Sequence, residues 1–505
     1  MSFKRNVVAN YISQIYVSLL NILMLPLYIK YLGAEAYGLV GFFAMLQTWF
    51  ALFDLGLTPT IARETARFRA GSINALAFRR LFRSLSSIFI AIAIAGGGGL
   101  WLSSTVIVEK WLKIENLAFD TVILSVQIMA AAVALRWLCG LFRGVITGSE
   151  KLIWLSGFNV FIATLRFIGV FVTMSLFGYT AKVFFVHQLC VACIELLGYW
   201  LMSWVLIPNR KAIDGVIGWS LRPVKSILRF SLSIAFTSSI WVLVTQSDKL
   251  VLSGVLSLKE YGYFTLAVLL SSGIVMICAP ISSALMPRMA RLCAEEKHEE
   301  MLYLYRNATQ VVTVIAGSVA ITIASCAEPL LRVWTGDDVI AFEAAPILRL
   351  YAIGYGFLAI SAFPYYLQYA LGNLRYHLIG NALMAVVLIP TIVFVAKHYG
   401  GVGAGWVWLL VNLFYLTVWT AFIHRKLMKS TWIHWHVNDV FKILAITSII
   451  SALVHHLLSY KGSAFSVIID IIILSMFTLL CSLCSSSVAR KYMKKKLGSV
   501  LNGKE

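Results

Sequence analysis

The sequence predicts an all-α polytopic membrane protein with about fourteen transmembrane helices, arranged as two pseudo-symmetric six-helix lobes followed by two C-terminal helices. Of the 505 residues, 60% are apolar and only 13% are charged, with a mean hydropathy of +0.85. Soluble domains are about 45–50% apolar and about 25% charged. Apolar runs of the ~20 residues needed to cross a bilayer recur along the whole chain. This composition excludes a soluble enzyme, a disordered protein and a nucleic-acid-binding domain.

The apolar runs define fourteen predicted spans, each placed to within several residues. They are residues 7–29, 38–58, 84–107, 119–142, 153–177, 181–207, 230–253, 262–287, 307–329, 344–370, 377–396, 402–423, 443–459 and 464–487. The first run is longer than the apolar core of a signal peptide and no small-residue cleavage motif follows it, so we interpret it as the first span.

Lysine and arginine are distributed unevenly between the two sets of connections. With the N-terminus inside, the inner segments hold 31 of the 42 basic residues and the outer segments hold 10. Because inner loops of membrane proteins carry excess positive charge, both termini are predicted to be cytoplasmic. The net charge of +20 is scattered through these short loops, so it does not indicate nucleic-acid binding. The largest inner clusters, Arg63–Arg83, Arg210–Arg229 and Arg490–Lys504, are predicted to contact anionic lipids.

Short motifs repeat at an offset of about 224 residues, which indicates that the two lobes are duplicated. The matched pairs are Tyr37-Gly38 with Tyr261-Gly262, Gly148 with Gly372, and Lys151 with Arg375. Six spans per copy give both copies the same orientation, and such halves commonly rock around a site near the membrane midplane. The predicted division is residues 1–207 as the N-lobe, 208–229 as a cytoplasmic linker, 230–425 as the C-lobe, and 426–505 as the last two spans with a basic tail.

Charged residues inside the spans predict the functional site. Each costs ~2.5–3.5 kcal/mol at the bilayer centre, so it usually faces a cavity or a partner. Arginine binds phosphate through its planar fork, and a cationic cavity would suit an anionic headgroup that carries sugars. The predicted substrate-binding residues are Arg166, Arg136, Arg143 and Arg63, and the candidate coupling carboxylates are Asp54, Glu195 and Asp248. The alternative is that Arg166 and Glu195 form an internal ion pair with a structural role.

No metal, cofactor or catalytic residue is predicted. Two Cys-x-x-Cys pairs, at residues 190–193 and 481–484, lie in apolar runs without further ligands nearby. No phosphate-binding loop for ATP is present in the sequence. Four histidines at predicted loop edges, His434, His436, His455 and His456, are expected to have no carboxylate companions.

The order and spacing of several short motifs resemble those of a known family. These motifs are Tyr31–Leu39, Asp54–Leu57 with Arg63, Gly144–Gly148, Asp248–Leu250 with Tyr261–Tyr263, Glu328–Gly336, and Tyr399–Ala404. Over about residues 1–425 the chain resembles the polysaccharide transporter family of the multidrug/oligosaccharidyl-lipid/polysaccharide superfamily.

The resemblance implies a non-enzymatic flippase of the O-antigen type in a bacterial inner membrane. Such a protein moves an undecaprenyl-pyrophosphate-linked oligosaccharide from the inner to the outer leaflet by alternating access. The resemblance also implies two lobes around a cationic cavity. The implied partners are the lipid-linked oligosaccharide, anionic membrane lipids, and a glycan polymerase with its chain-length machinery.

Three other functions are open at this point. A drug or small-molecule exporter of the same superfamily is disfavoured because such substrates are usually cationic. A membrane glycan polymerase or glycosyltransferase would be expected to carry a large outer loop, whereas the longest predicted here is about fifteen residues, around Leu330–Ala344. Its Asp337-Asp338 pair is better explained as a solvated turn. A channel is disfavoured by the duplicated halves.

Overall fold

The computed structural model describes residues 3–209, 222–428, 432–460 and 462–491. These residues form helices and short connections without a β-strand, which confirms the all-helical class. Residues 210–221 of the predicted linker, and the predicted basic tail from residue 492 onward, lie outside the described residues.

Ten helices precede residue 256. They are α1 (Phe3–Leu32), α2 (Ala34–Phe50), α3 (Leu57–Arg69), α4 (Ala75–Leu102), α5 (Ser104–Lys110), α6 (Phe119–Gly148), α7 (Leu152–Thr164), α8 (Val170–Phe177), α9 (Ala181–Leu206) and α10 (Arg222–Val255). Ten more follow in the described residues: α11 (Leu258–Ala294), α12 (His298–Ser325), α13 (Ala327–Thr335), α14 (Asp338–Ser361), α15 (Phe363–Ala370), α16 (Arg375–Phe414), α17 (Thr420–Leu427), α18 (Trp432–His434), α19 (Lys442–Leu457) and α20 (Ala464–Ser485).

Twelve helical stretches of the described residues are long and apolar enough to cross a membrane. One of them, Arg375–Leu427, is 53 residues long and is interrupted at Gly400, where φ is 57° and ψ is −144°. This left-handed φ favours glycine and places the predicted spans 377–396 and 402–423 on separate helical segments. The predicted span 230–253 lies in α10, which is not among the twelve. Each of the fourteen predicted spans therefore lies mostly on helix.

The chain divides into two compact units, Met1–Gly262 and Tyr263–Glu505. In the first unit, α10 packs against α2, α3 and α4. These contacts explain why the first unit extends past the predicted linker. The predicted lobe boundaries at residues 207 and 230 stay a prediction.

Glycines allow close helix contacts in the first unit. On α6, Gly140, Gly144 and Gly148 recur every four residues and face α3. A Cβ at Gly144 would overlap Ile61, and one at Gly148 would overlap the carbonyl oxygen of Ala62. Small residues at this spacing allow two helix backbones to pack closely in a membrane, where van der Waals contact stabilises helix pairs.

The motif Tyr31–Leu39 joins α1 to α2 and contacts two other parts of the first unit, the residues before α6 and the start of α11. Glu35 is buried, and its carboxylate accepts hydrogen bonds from the backbone N–H groups of Glu115 (2.7 Å) and Asn116 (2.9 Å). Gly38 packs so tightly on the start of α11 that a Cβ would overlap the carbonyl oxygen of Leu258. The motif therefore has a structural role in the first unit.

Candidate functional site

Three charged side chains meet in the first unit and form the arginine–glutamate cluster, consisting of Arg136, Arg166 and Glu195. Arg136 lies on α6, Glu195 on α9, and Arg166 in the segment between α7 and α8. Arg166 Nη2 donates to Glu195 Oε2 at 2.8 Å, and Arg136 Nε lies 3.8 Å from the same oxygen. The predicted ion pair between Arg166 and Glu195 is present, and Arg136 joins it.

Arg136 is held by neutral groups as well as by Glu195. Its Nη1 donates to Gln47 Oε1 at 2.9 Å, and its Nη2 donates to Gln188 Oε1 at 2.8 Å. The guanidinium also lies over the ring of Phe43, with its Cζ 5.2 Å from the ring centroid. Charge-assisted hydrogen bonds and a ring face lower the cost of placing this cation inside a helix bundle.

Arg166 lies in a π-helical segment, Leu165–Gly169, that interrupts the fifth predicted span. A π-helical turn disturbs the regular α-helical hydrogen-bond ladder and is frequent at functional sites. Side chains of other helices bind its carbonyl oxygens. Gln188 Nε2 donates to Arg166 O at 3.1 Å, Tyr28 Oη donates to Phe167 O at 3.2 Å, and His187 Nε2 lies 3.0 Å from Leu165 O.

Gln188 connects the two arginines through one amide group. Its oxygen accepts from Arg136 and its nitrogen donates to the backbone of Arg166, so both ends of the amide are used. The residue is buried on α9. Sequence reasoning did not select Gln188, although a glutamine in the middle of an apolar run was a signal available for it.

The cluster has an excess of positive charge, because one carboxylate faces two guanidinium groups. The side chains of Arg136, Arg166 and Glu195 are 9%, 27% and 14% exposed. The Nε atoms of both arginines are buried without a hydrogen-bond partner among the described residues. Each guanidinium carries five N–H donors, so the cluster retains donors suited to a phosphate oxygen.

The two other predicted arginines lie away from these contacts. Arg143 is exposed on α6, seven residues beyond Arg136 and hence about two turns further along the same face. Arg63 is exposed on α3. The hydrogen bonds and ion pairs given above for the arginine–glutamate cluster involve neither residue.

The remaining predicted carboxylates occupy separate positions in the first unit. Asp54 precedes α3 and accepts from the backbone N–H and the hydroxyl group of Thr58, which is the arrangement of a carboxylate at a helix N-terminus. Asp248 is buried on α10, and its Oδ1 lies 3.7 Å from Lys249 Nζ. Of the three carboxylates, Glu195 is the one that pairs with Arg136 and Arg166.

A second polar cluster lies in the second unit, and sequence reasoning missed it. Asp439 is fully buried in a π-helical segment, Trp435–Phe441, and binds Arg306 through two hydrogen bonds of 2.6 and 3.2 Å. Gln310 Nε2 donates to the same carboxylate at 2.7 Å. His434 Nδ1 lies 3.9 Å from Asp439 Oδ1, so the expectation that this histidine has no carboxylate nearby was wrong.

Gln310 extends this cluster to the residues that follow α20. Its Oε1 accepts from Ser486 Oγ at 2.8 Å, from Ser487 Oγ at 3.1 Å and from the backbone N–H of Val488 at 3.2 Å. The amide of one residue on α12 thus fixes the chain at the end of the last predicted span.

The turn before α14, which the sequence analysis places in an outer loop, is built from local contacts. Asp337 caps α14 by accepting from the N–H groups of Val339 and Ile340, at 2.8 and 3.0 Å. Asp338 and Glu328 both bind Arg332. These contacts explain the Asp337-Asp338 pair without a catalytic role. Among the described residues, no group of three or more His, Cys, Asp or Glu side chains is placed to hold a metal ion.

Comparison with known families decides which of the predicted classes applies. The family model described as "Polysaccharide biosynthesis protein" matches residues 3–293, more than half of the chain. The chain belongs to the polysaccharide biosynthesis protein family. The predicted resemblance to the polysaccharide transporters of this superfamily is therefore confirmed.

A curated relative and two solved structures agree with this family. The protein of Shigella flexneri named "Putative O-antigen transporter" is 23% identical over 414 residues, which are 81% of this chain and 94% of that protein. The lipid II flippase MurJ in an inward closed conformation superposes with a TM-score of 0.72 and 14% identity, over 97% of this chain and 99% of that one. An inward-facing multidrug resistance MATE family transporter has a TM-score of 0.66 and 15% identity, over 82% and 96% of the two chains.

The structural likenesses show that this chain shares the fold of these two proteins. Together with the apolar helices, the family and the curated relative support a multi-pass membrane protein of the transporter class. The relatives are transporters and flippases rather than enzymes.

Proposed function

We propose that this protein flips an undecaprenyl-pyrophosphate-linked oligosaccharide from the inner to the outer leaflet of a bacterial inner membrane by alternating access. The family, the O-antigen relative and the flippase-like fold support a lipid-linked glycan as the substrate class. The observation that carries the proposal at the level of residues is the cationic excess of the arginine–glutamate cluster.

In the proposed mechanism, a phosphate oxygen of the headgroup competes with Glu195 for the N–H donors of Arg166. Arg136 keeps its position through Gln47 and Gln188, so a guanidinium remains beside the displaced carboxylate. Because the cluster carries one more cation than anion, an incoming anion is attracted without first breaking a neutral pair. Glu195, once displaced, is the carboxylate placed to take up a coupling proton.

The decisive experiment measures flipping in proteoliposomes. The substrate is a labelled undecaprenyl-pyrophosphate oligosaccharide, and its arrival in the opposite leaflet is read by accessibility to an added lectin. Arg166→Lys is expected to keep part of the activity because the charge remains, and Arg166→Ala is expected to lose it. Arg332→Ala serves as the matched control, since this arginine is also paired with carboxylates but lies outside the cluster.

A double variant separates ligand binding from a structural ion pair. Replacing Arg166 and Glu195 together by leucine leaves no unpaired charge from that pair, so a purely structural role predicts restored flipping. The proposal predicts that this double variant is folded and inactive. Restored flipping would overturn the ligand role of Arg166. Export of a cationic dye in place of flipping would support the drug-exporter alternative instead.

The location, the topology and the partners belong to the same proposal. Both termini are proposed to be cytoplasmic. Reporter fusions near Lys461 and after Lys504 test this topology, because the two fusion points are proposed to lie on opposite sides of the membrane. The lipid-linked oligosaccharide is proposed to pass on to a glycan polymerase and its chain-length machinery.

A further inference from the structure

A groove on the surface of the first unit is lined almost entirely by apolar side chains. The groove lies between α4, α6 and α9 and has a volume of about 390 Å3. Ile90 of α4, Leu138 of α6, and Leu197 and Trp200 of α9 form its walls. Ile90, Leu197 and Trp200 are 50%, 53% and 42% exposed, so the groove is open along its length rather than closed over.

One end of this groove is strongly basic. Trp200 packs on Trp204 with their ring centroids 6.0 Å apart, and the Arg79 guanidinium lies 5.7 Å from the Trp204 ring centroid. Arg83 is exposed on α4, three and seven residues before Ser86 and Ile90, and therefore lies on the face of α4 that lines the groove. The distance along α4 from Arg83 to Ile90 is about 10 Å.

Further arginines surround the same end. Arg79 Nε donates to Pro208 O at 2.7 Å, and Arg69 Nη2 donates to Leu206 O at 3.2 Å, so both lie at the C-terminal end of α9. Arg80 is exposed one residue from Arg79. Tryptophan rings are enriched at the level of lipid headgroups, so Trp200 and Trp204 mark the depth at which apolar chains give way to headgroups.

We propose that this groove binds an anionic glycerophospholipid of the bilayer, with one acyl chain against Ile90, Leu138 and Leu197. The phosphate lies at the basic end, beside Arg79 and Arg83. The occupant follows from charge complementarity, because an apolar channel that ends in a group of arginines fits a lipid chain joined to an anion. The proposal goes beyond the flippase function and does not depend on it.

The test uses the full-length protein in detergent and counts bound lipid by native mass spectrometry. The probes are phosphatidylglycerol and phosphatidylcholine with the same acyl chains. The proposal predicts that phosphatidylglycerol binds more tightly. Arg83→Gln is expected to lower its affinity about fivefold, since one basic residue near an anionic lipid surface contributes about 1 kcal/mol. Ile90→Trp and Leu197→Trp are expected to abolish the tightly bound copy by filling the groove.

Two matched controls carry the same chemical changes elsewhere. Leu176→Trp alters an apolar side chain on α8 that is 73% exposed, and Arg375→Gln removes an exposed arginine of the second unit. Both are expected to leave binding unchanged. Equal binding of the two lipids, retention of phosphatidylglycerol in both tryptophan variants, or equal loss in Arg375→Gln would overturn the proposal. So would displacement of phosphatidylglycerol by undecaprenyl phosphate at equal concentration, which would assign the groove to the transported lipid.

Discussion

Removing Glu195 should destabilise the protein more than removing Arg166, because one carboxylate serves two guanidinium groups. With an effective dielectric constant of about 20, Coulomb attraction to Glu195 is about 6 kcal/mol for Arg166 at 2.8 Å and about 4 kcal/mol for Arg136 at 3.8 Å. Desolvation offsets much of this attraction. The measured cost of removing one partner of a buried pair is about 3–5 kcal/mol, and this is the expected loss in Glu195→Leu.

Arg166→Leu should cost less, because Glu195 then still faces Arg136. The expected loss is about 1.5–3 kcal/mol, the value of one charge-assisted hydrogen bond. The double variant leaves Arg136 with Gln47 and Gln188 but without its 3.8 Å contact to Glu195. Because only Arg136 then lacks its carboxylate, the double variant should lose less stability than Glu195→Leu, in which both arginines lack it. The two single effects are therefore strongly non-additive.

Equilibrium unfolding of the full-length protein in mixed detergent–SDS micelles, followed by tryptophan fluorescence, measures these free energies. Equal losses in the two single variants, or a double variant whose loss is the sum of theirs, would refute the shared-carboxylate geometry. Stability and flipping are expected to separate in the double variant, which should be more stable than Glu195→Leu and yet inactive.

Three further predictions follow from other contacts. Gly38→Ala should lower the yield of folded protein, since its Cβ would overlap Leu258 O, whereas Gly98→Ala on α4 has open space and should have no such effect; size-exclusion profiles compare them. Asp439→Asn should cost about 3–5 kcal/mol in the unfolding assay, because Arg306 loses a buried partner, while Asp338→Asn at the exposed pair with Arg332 should cost less than about 1 kcal/mol. Flipping in proteoliposomes should need no ATP and should accelerate when the destination side is made positive, since two headgroup charges gain about 4.6 kcal/mol per 100 mV; a requirement for ATP would contradict the proposed function.

Run length and charge placement predicted the fold from the sequence. A bilayer has a fixed thickness, so apolar segments of the right length identify its spans even where the chain bends within them, as at Gly400. The mid-span positions of Arg166 and Glu195 likewise predicted that the two residues could form an ion pair, because a charge at that depth requires a partner or a cavity.

The side-chain contacts that hold the two polar clusters together could not be predicted from run length or charge placement. Gln188 donates a hydrogen bond to a carbonyl oxygen of the π-helical segment Leu165–Gly169. The apolar run of the fifth span does not reveal whether that segment is α-helical or π-helical, so this contact could not be predicted. Asp439 lies between the predicted spans 402–423 and 443–459 and was therefore outside every predicted span. Its burial depends on Arg306, 133 residues earlier in the chain, and such a long-range pairing leaves no local pattern.

The amide of Gln310 determines where a tag or reporter can be attached without disturbing the molecule. A fusion junction placed directly after Ser485, at the end of the last apolar run, would remove the three groups of residues 486–488 that its oxygen accepts from. The same amide donates to Asp439, so the loss would pass to the carboxylate that binds Arg306. Fluorescent-protein and phosphatase fusions should therefore begin after Lys491, so that the hydrogen bonds from residues 486–488 to Gln310 are kept. Differences in expression level between variants then reflect the stability of the protein and not damage at the fusion junction.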